Sequence, residues 1–112
     1  VFCGGNHGRV SCLDPTGGEV LWSVDPGVGD SRAYARTSGV YCLPGVTCLS
    51  WAVGPGLLLA GGGRGRVAAL EPGGRIVWSV DPDVGALRCL CYVPELAATL
   101  CGGETGFAAL ST

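Results

Sequence analysis

The chain has 112 residues, room for one modest domain and not for two of ordinary size. Its formal charge is −2 and every basic residue is arginine, spread along the chain. This excludes the clustered cationic surface that a nucleic-acid backbone requires, so no nucleic-acid partner is expected.

In chain order, the first apolar segments are Val1–Gly4, Arg9–Leu13 and Glu19–Val24, parted by Gly-rich turns. Within the third, Val20, Trp22 and Val24 alternate with Leu21 and Ser23, the period-two pattern of a strand. Val24-Asp25-Pro26 leads into residues 27–44, GVGDSRAYARTSGVYCLP. Four more segments follow at Val46–Val53, Leu57–Gly62, Arg66–Leu70 and Arg75–Val80, then two at Ala86–Val93 and Ala97–Gly102. Pro-Gly, Gly-Gly and Asp-Pro stand at the boundaries, as tight turns need. No segment offers ten residues of helical spacing, so the chain reads as all-β. No charged leader precedes the first apolar segment, and no targeting signal is read.

The segments recur. FCGGNHGRVSCL (2–13) matches LAGGGRGRVAAL (59–70) at an offset of 57 without a gap, and LCGGETGFAAL (100–110) is a third partial copy. From Cys48 to Cys89, and from Ala60 to Cys101, the offset is 41, so the first interval carries 57 − 41 = 16 extra residues. One lies in the turn at Thr16. The other 15 lie between Trp22 and Cys48, which are 26 apart where Trp78 and Cys89 are 11 apart. A period near 40 holding four short apolar segments is that of a β-propeller blade. The expected architecture is about two and a half four-stranded antiparallel blades. Residues 1–25 form a partial blade, 26–45 an insertion loop, 46–81 a full blade and 86–112 a partial blade. Such a ring is incomplete, and its closure falls to the rest of a longer chain. Residues 37–63 carry no charge and invite a transmembrane reading. Pro44 and the Gly-Pro-Gly at 54–56 argue against it, because a bilayer cannot satisfy a turn backbone at its middle.

The stretch GRVSCLDPTGGEVLW (8–22), echoed as GRVAALEPGGRIVW (65–78), resembles the repeat of quinoprotein-type propellers. It also resembles the looser WD40 repeat, with Leu13-Asp14 and Leu70-Glu71 where Trp-Asp would stand. The resemblance implies that Trp22 and Trp78 dock one blade on the next. Quinone-dependent dehydrogenases of this type hold their cofactor and a calcium ion with polar residues from several blades, and no such residues are matched here. The resemblance therefore implies a scaffold without a cofactor. The alternative is a segment of a quinoprotein-like enzyme whose catalytic residues lie outside this chain.

The seven cysteines, an odd number, suit no complete disulfide framework. Cys3 stands where Ala60 and Cys101 stand, Cys12 where Ala69 stands, Cys48 matches Cys89, and Cys91 matches Ser50. Cysteine alternating with Ala and Ser is the mark of a small residue packed between sheets, and reduced thiols in a reducing compartment are expected. Zinc on Cys3, His7 and Cys12 lacks a fourth ligand, so no metal is expected. His7 lies at a turn tip with no nucleophile beside it, and no catalytic residue is assigned. Asp25, Asp81 and Asp83 recur because their turn recurs, capping backbone amides. Gly61–Gly65 precedes a strand, whereas a phosphate cradle precedes a helix.

What remains is one face. The turns joining second to third strands emerge beside the connections between blades, which gathers Asn6, His7, Arg64, Glu104 and Thr105 with the insertion. Its Arg32, Tyr34, Arg36 and Tyr41 are of the types enriched where proteins bind proteins. A protein partner is expected on this face.

Overall fold

The computed structural model describes residues 1–5, 8–29 and 45–111. They form three antiparallel sheets and no α-helix, with one short 3-10 turn at Pro94–Leu96. The first sheet is β1 (Phe2–Gly4), β2 (Val10–Leu13) and β3 (Val20–Val24). The second is β4 (Val46–Ala52), β5 (Leu57–Gly62), β6 (Val67–Leu70) and β7 (Ile76–Val80), in that order. The third is β8 (Leu87–Val93), β9 (Ala98–Gly103) and β10 (Phe107–Ser111). Sequential pairing in each sheet, with β4 against β8 and β1 against β4 at the inner edge, is the arrangement of neighbouring propeller blades.

The repeat is reproduced down to its irregularities. A bulge between Cys12 and Leu13 on β2 has its counterpart between Ala69 and Leu70 on β6. Another between Val46 and Cys48 returns between Leu87 and Cys89. The bulges end the simple alternation of the fourth strands: Val20 and Leu21 are both exposed, as are Ile76 and Val77.

The third sheet departs from the pattern in one place. Cys3 pairs with Ser11 and its counterpart Ala60 with Ala68, but Cys101 pairs with Ala108 where the repeat would set Ala109. In the first two sheets a four-residue turn closes by Gly8 N–H to Gly5 O and by Gly65 N–H to Gly62 O. In the third, Gly103 N–H donates to Gly106 O and only Glu104 and Thr105 lie between. The turn is one residue shorter, so Phe107–Leu110 takes the places that Val67–Leu70 hold in the second sheet. Ala108 and Leu110 face the second sheet as Ala68 and Leu70 face the first, and Phe107 is 87% exposed.

Three apolar clusters fill the gaps between sheets. Val10, Val28, Leu58, Ala60, Ala68 and Leu70 join the first sheet to the second. Val67, Val84, Leu87 and Cys101, and then Ala52, Leu59 and Ala69, join the second to the third. Thr47 on β4 also donates its hydroxyl proton to Leu87 O on β8, tying the two innermost strands.

Candidate partner-binding face

The connections between sheets fix this face. After β3, Asp25 Oδ1 accepts from Gly27 N–H at 2.9 Å, and after β7, Asp81 Oδ1 accepts from Asp83 N–H at 2.8 Å. The second copy places Asp83 at φ 60° where the first has Gly27, a conformation that Asp tolerates better than most side chains. Each connection then buries a valine, Val28 or Val84, against the next blade.

The turn of that next blade grips the connection by its carbonyls. Arg64 N–H donates to Val28 O at 2.9 Å and Gly63 N–H to Gly45 O at 3.1 Å. In the following copy Thr105 N–H donates to Val84 O at 2.9 Å and Glu104 N–H to Ala86 O at 3.2 Å. Val28 thus answers to Val84 and Gly45 to Ala86, so the 15 extra residues are residues 30–44, while 27–29 belong to the regular connection. Close approach requires glycine: a Cβ on Gly62 would lie 2.5 Å from Val28 O and 2.6 Å from Gly45 O. The 5–8 turn lies alongside, where Gly5 O accepts from Val46 N–H and a Cβ on Gly8 would touch Gly29.

Of the residues expected on this face, Arg64 is exposed at the turn tip, and its guanidinium has no partner among the described residues. Glu104 and Thr105 occupy the corresponding tip of the third sheet, where Glu104 Oε1 accepts from Ala86 N–H at 3.2 Å. Asn6, His7, Arg32, Tyr34, Arg36 and Tyr41 lie outside the described residues. The other turn arginines are spent on the sheets. Arg9 holds Ser23 through Nε and Nη2, at 2.9 and 2.8 Å, and Arg66 holds Ser79 in the same way at 3.1 and 3.3 Å.

Trp22 and Trp78 stand at equivalent places, opposite Cys12 and Ala69. Trp22 is half-buried, sends its indole N–H to Pro72 O at 2.8 Å, and lies with its ring over Gly74. Trp78 is half-buried among Leu90, Ala108 and Leu110 of the third sheet. A third aromatic contact escaped the repeat, because it joins unlike positions: Phe2 of β1 stacks on Trp51 of β4 at 6.0 Å and lies 5.9 Å from Trp22.

The cysteines are only partly the small core residues expected. Cys12 and Cys101 are buried and Cys48 half-buried, but Cys3, Cys89 and Cys91 are exposed. Cys89 and Cys91 occupy the face of the third sheet that answers to Cys48 and Ser50, and among the described residues no sheet lies against that face. The difference shows at Leu100, 41% exposed where its counterpart Leu59 is fully buried. Cys3 pairs with Ser11 and Cys12 with Phe2, which sets the two thiols on opposite faces of their sheet. Burial pushes the Cys48 thiol up, helped by the neighbouring Cys89, and burial likewise pushes up Cys101.

These features define a segment of a repeat β-propeller. The family model described as outer membrane protein assembly factor BamB matches residues 6–98, and the chain belongs to that family of propeller repeats. No curated protein matches. Among solved structures, the β-propeller domain of Cps50 (Swd1) from Myceliophteria thermophila superposes with a TM-score of 0.53 at 13% identity. The match covers 99% of this chain and 50% of that one, so the chain spans about half the length of that propeller. No helix of the described residues is long and apolar enough to cross a membrane.

Proposed function

We propose that the chain is a non-catalytic propeller scaffold that recruits a protein partner through the face carrying the 27–44 insertion. The observation that carries this reading is the matched grip on its two flanks. Val28 O and Gly45 O are held by the 62–65 turn as Val84 O and Ala86 O are held by the 103–106 turn. Fifteen residues thus enter one connection without changing how the blades meet, and a surface loop of that length adds little to the closure entropy. The sequence of those residues carries Arg32, Tyr34, Arg36 and Tyr41, and the flanks Val28 and Gly45 are held by the turn that bears the exposed Arg64. The family description, an assembly factor, names a role exercised by contact between proteins and supports the same reading.

Deleting residues 30–44 joins Gly29 to Gly45 and copies the length of Val84-Gly85-Ala86. The shortened protein should keep the parent's thermal midpoint within a few degrees and lose partners that the parent retains in crosslinking from its native cells. Arg32→Ala with Tyr34→Ala should lose the same partners. An unchanged partner set in a folded deletion variant refutes the proposal.

A further inference from the structure

Apart from the insertion face, we infer that Arg9 and Arg66 close the outer edges of β3 and β7 to strand addition, and that without these caps a second copy of the chain pairs there. β3 and β7 each stand last in their sheets, opposite the inner edge at which β1, β4 and β8 meet. Neither has a second neighbour among the described residues. Their segments, VLWSV and IVWSV, carry no charge, and Val20, Leu21, Ile76 and Val77 are exposed along them. An uncharged apolar strand with an unpaired edge is a ready template for pairing with another chain.

What each edge offers follows from its ladder. Gly5 N–H donates to Arg9 O at 3.3 Å, which makes 5 and 9 a bonded pair of the first hairpin. Bonded and non-bonded pairs alternate, so Cys3 and Ser11 are the next bonded pair. Ser11 therefore turns its N–H and C=O to β1, and Ser23 opposite it turns its own to the outside. The second sheet gives the same result from its other hairpin. Glu71 N–H donates to Arg75 O at 2.8 Å. Counting back, Leu70 with Ile76 is non-bonded, Ala69 with Trp78 bonded, and Ala68 with Ser79 non-bonded, so Ser79 also faces outward.

An arginine already occupies each outward carbonyl. Arg9 donates from Nη2 to Ser23 O at 2.8 Å and from Nε to Ser23 Oγ at 2.9 Å, and Ser11 Oγ fixes that hydroxyl at 3.1 Å. Arg66 holds Ser79 O at 3.3 Å and Ser79 Oγ at 3.1 Å in the same way. The planar guanidinium spans hydroxyl and carbonyl together, which a lysine ammonium cannot do. An incoming strand would need the same carbonyl for its own N–H, and would have to displace a charged donor held at two points.

The test compares Arg66→Ala with Arg88→Ala, which removes the same charge from an exposed arginine on β8. In sedimentation velocity Arg66→Ala should move faster than the parent as concentration rises, while Arg88→Ala follows the parent. In hydrogen exchange the Ser79 amide should be unprotected in the parent and protected in the associated variant. Adding Ser79→Pro to Arg66→Ala should restore the parent's sedimentation, because proline there removes only the outward N–H. Should an Arg66 variant misfold, Arg9→Ala with and without Ser23→Pro decides on the first sheet. Parental sedimentation of the folded arginine variant overturns the inference. So does association that proline does not reverse or that Arg88→Ala shares, and so does a Ser79 amide already protected in the parent.

Discussion

The indole N–H of Trp22 meets the carbonyl of Pro72 at 2.8 Å, joining the fourth strand of one blade to a turn of the next across 50 residues of chain. The same ring covers Gly74 and neighbours Phe2. Trp22→Phe should keep the apolar contact and lose the bond, costing about 1 kcal/mol. Trp22→Ala should cost about 3 kcal/mol, since the ring fills space between sheets. Urea unfolding of the two variants checks the order and the gap between them.

Thr99 is fully buried on β9, and its hydroxyl has no hydrogen-bond partner among the described residues. Thr99→Val keeps the shape and removes the orphaned group. It should raise stability by about 1 kcal/mol, read as a higher urea midpoint with an unchanged slope.

The turn glycines divide by what surrounds them. Gly62→Ala would set a methyl 2.5 Å from one backbone carbonyl and 2.6 Å from another, neither of which can yield without breaking the grip on Val28 and Gly45. It should cost more than about 3 kcal/mol. Gly73→Ala meets nothing within 4 Å and should change stability by less than about 0.5 kcal/mol. Thermal melts of the pair, measured side by side, provide the comparison.

The thiols should separate by environment. Cys48 and Cys101 are held above the ordinary value of 9.0, so at pH 8 they carry less thiolate than free cysteine and alkylate slowly with iodoacetamide. Exposed Cys3, Cys89 and Cys91 should react first, as peptide mass mapping would show. The raised folded values also set a sign for stability. The contribution of these two thiols is present below the ordinary value of 9.0 and is lost as pH rises through their raised folded values, so urea midpoints should fall as pH is raised past 9.0.

Much of the fold was legible because the repeat was. Offsets of 57 and 41 placed the strands to within a residue or so, and the bulges recur at matched positions. What the repeat could not show were contacts between unlike positions, such as Phe2 on Trp51, and differences imposed by neighbours. Cys89 copies Cys48 in sequence yet is exposed, because burial depends on the sheet next door and not on the strand itself. The candidate face was legible as a location, through Arg64, Glu104 and Thr105. Its start needed the hydrogen bonds to Val28 and Gly45, which set it at residue 30, three residues later than the 27 read from the sequence.

The offset pairing of β10 bears on how the copies can be exchanged. At a fixed offset of 41 Leu110 would answer to Ala69 and Phe107 to Arg66, but the turn before β10 is one residue shorter, and Phe107–Leu110 answers to Val67–Leu70 both in sequence and in pairing. A consensus repeat averaged at the fixed offset would therefore mix residues from opposite sides of a sheet at this hairpin, whereas one that keeps the shorter turn matches them correctly. Engineering by family average should succeed in β1–β2 and β5–β6, and in β9–β10 only if the one-residue deletion in the turn is carried over with the strand.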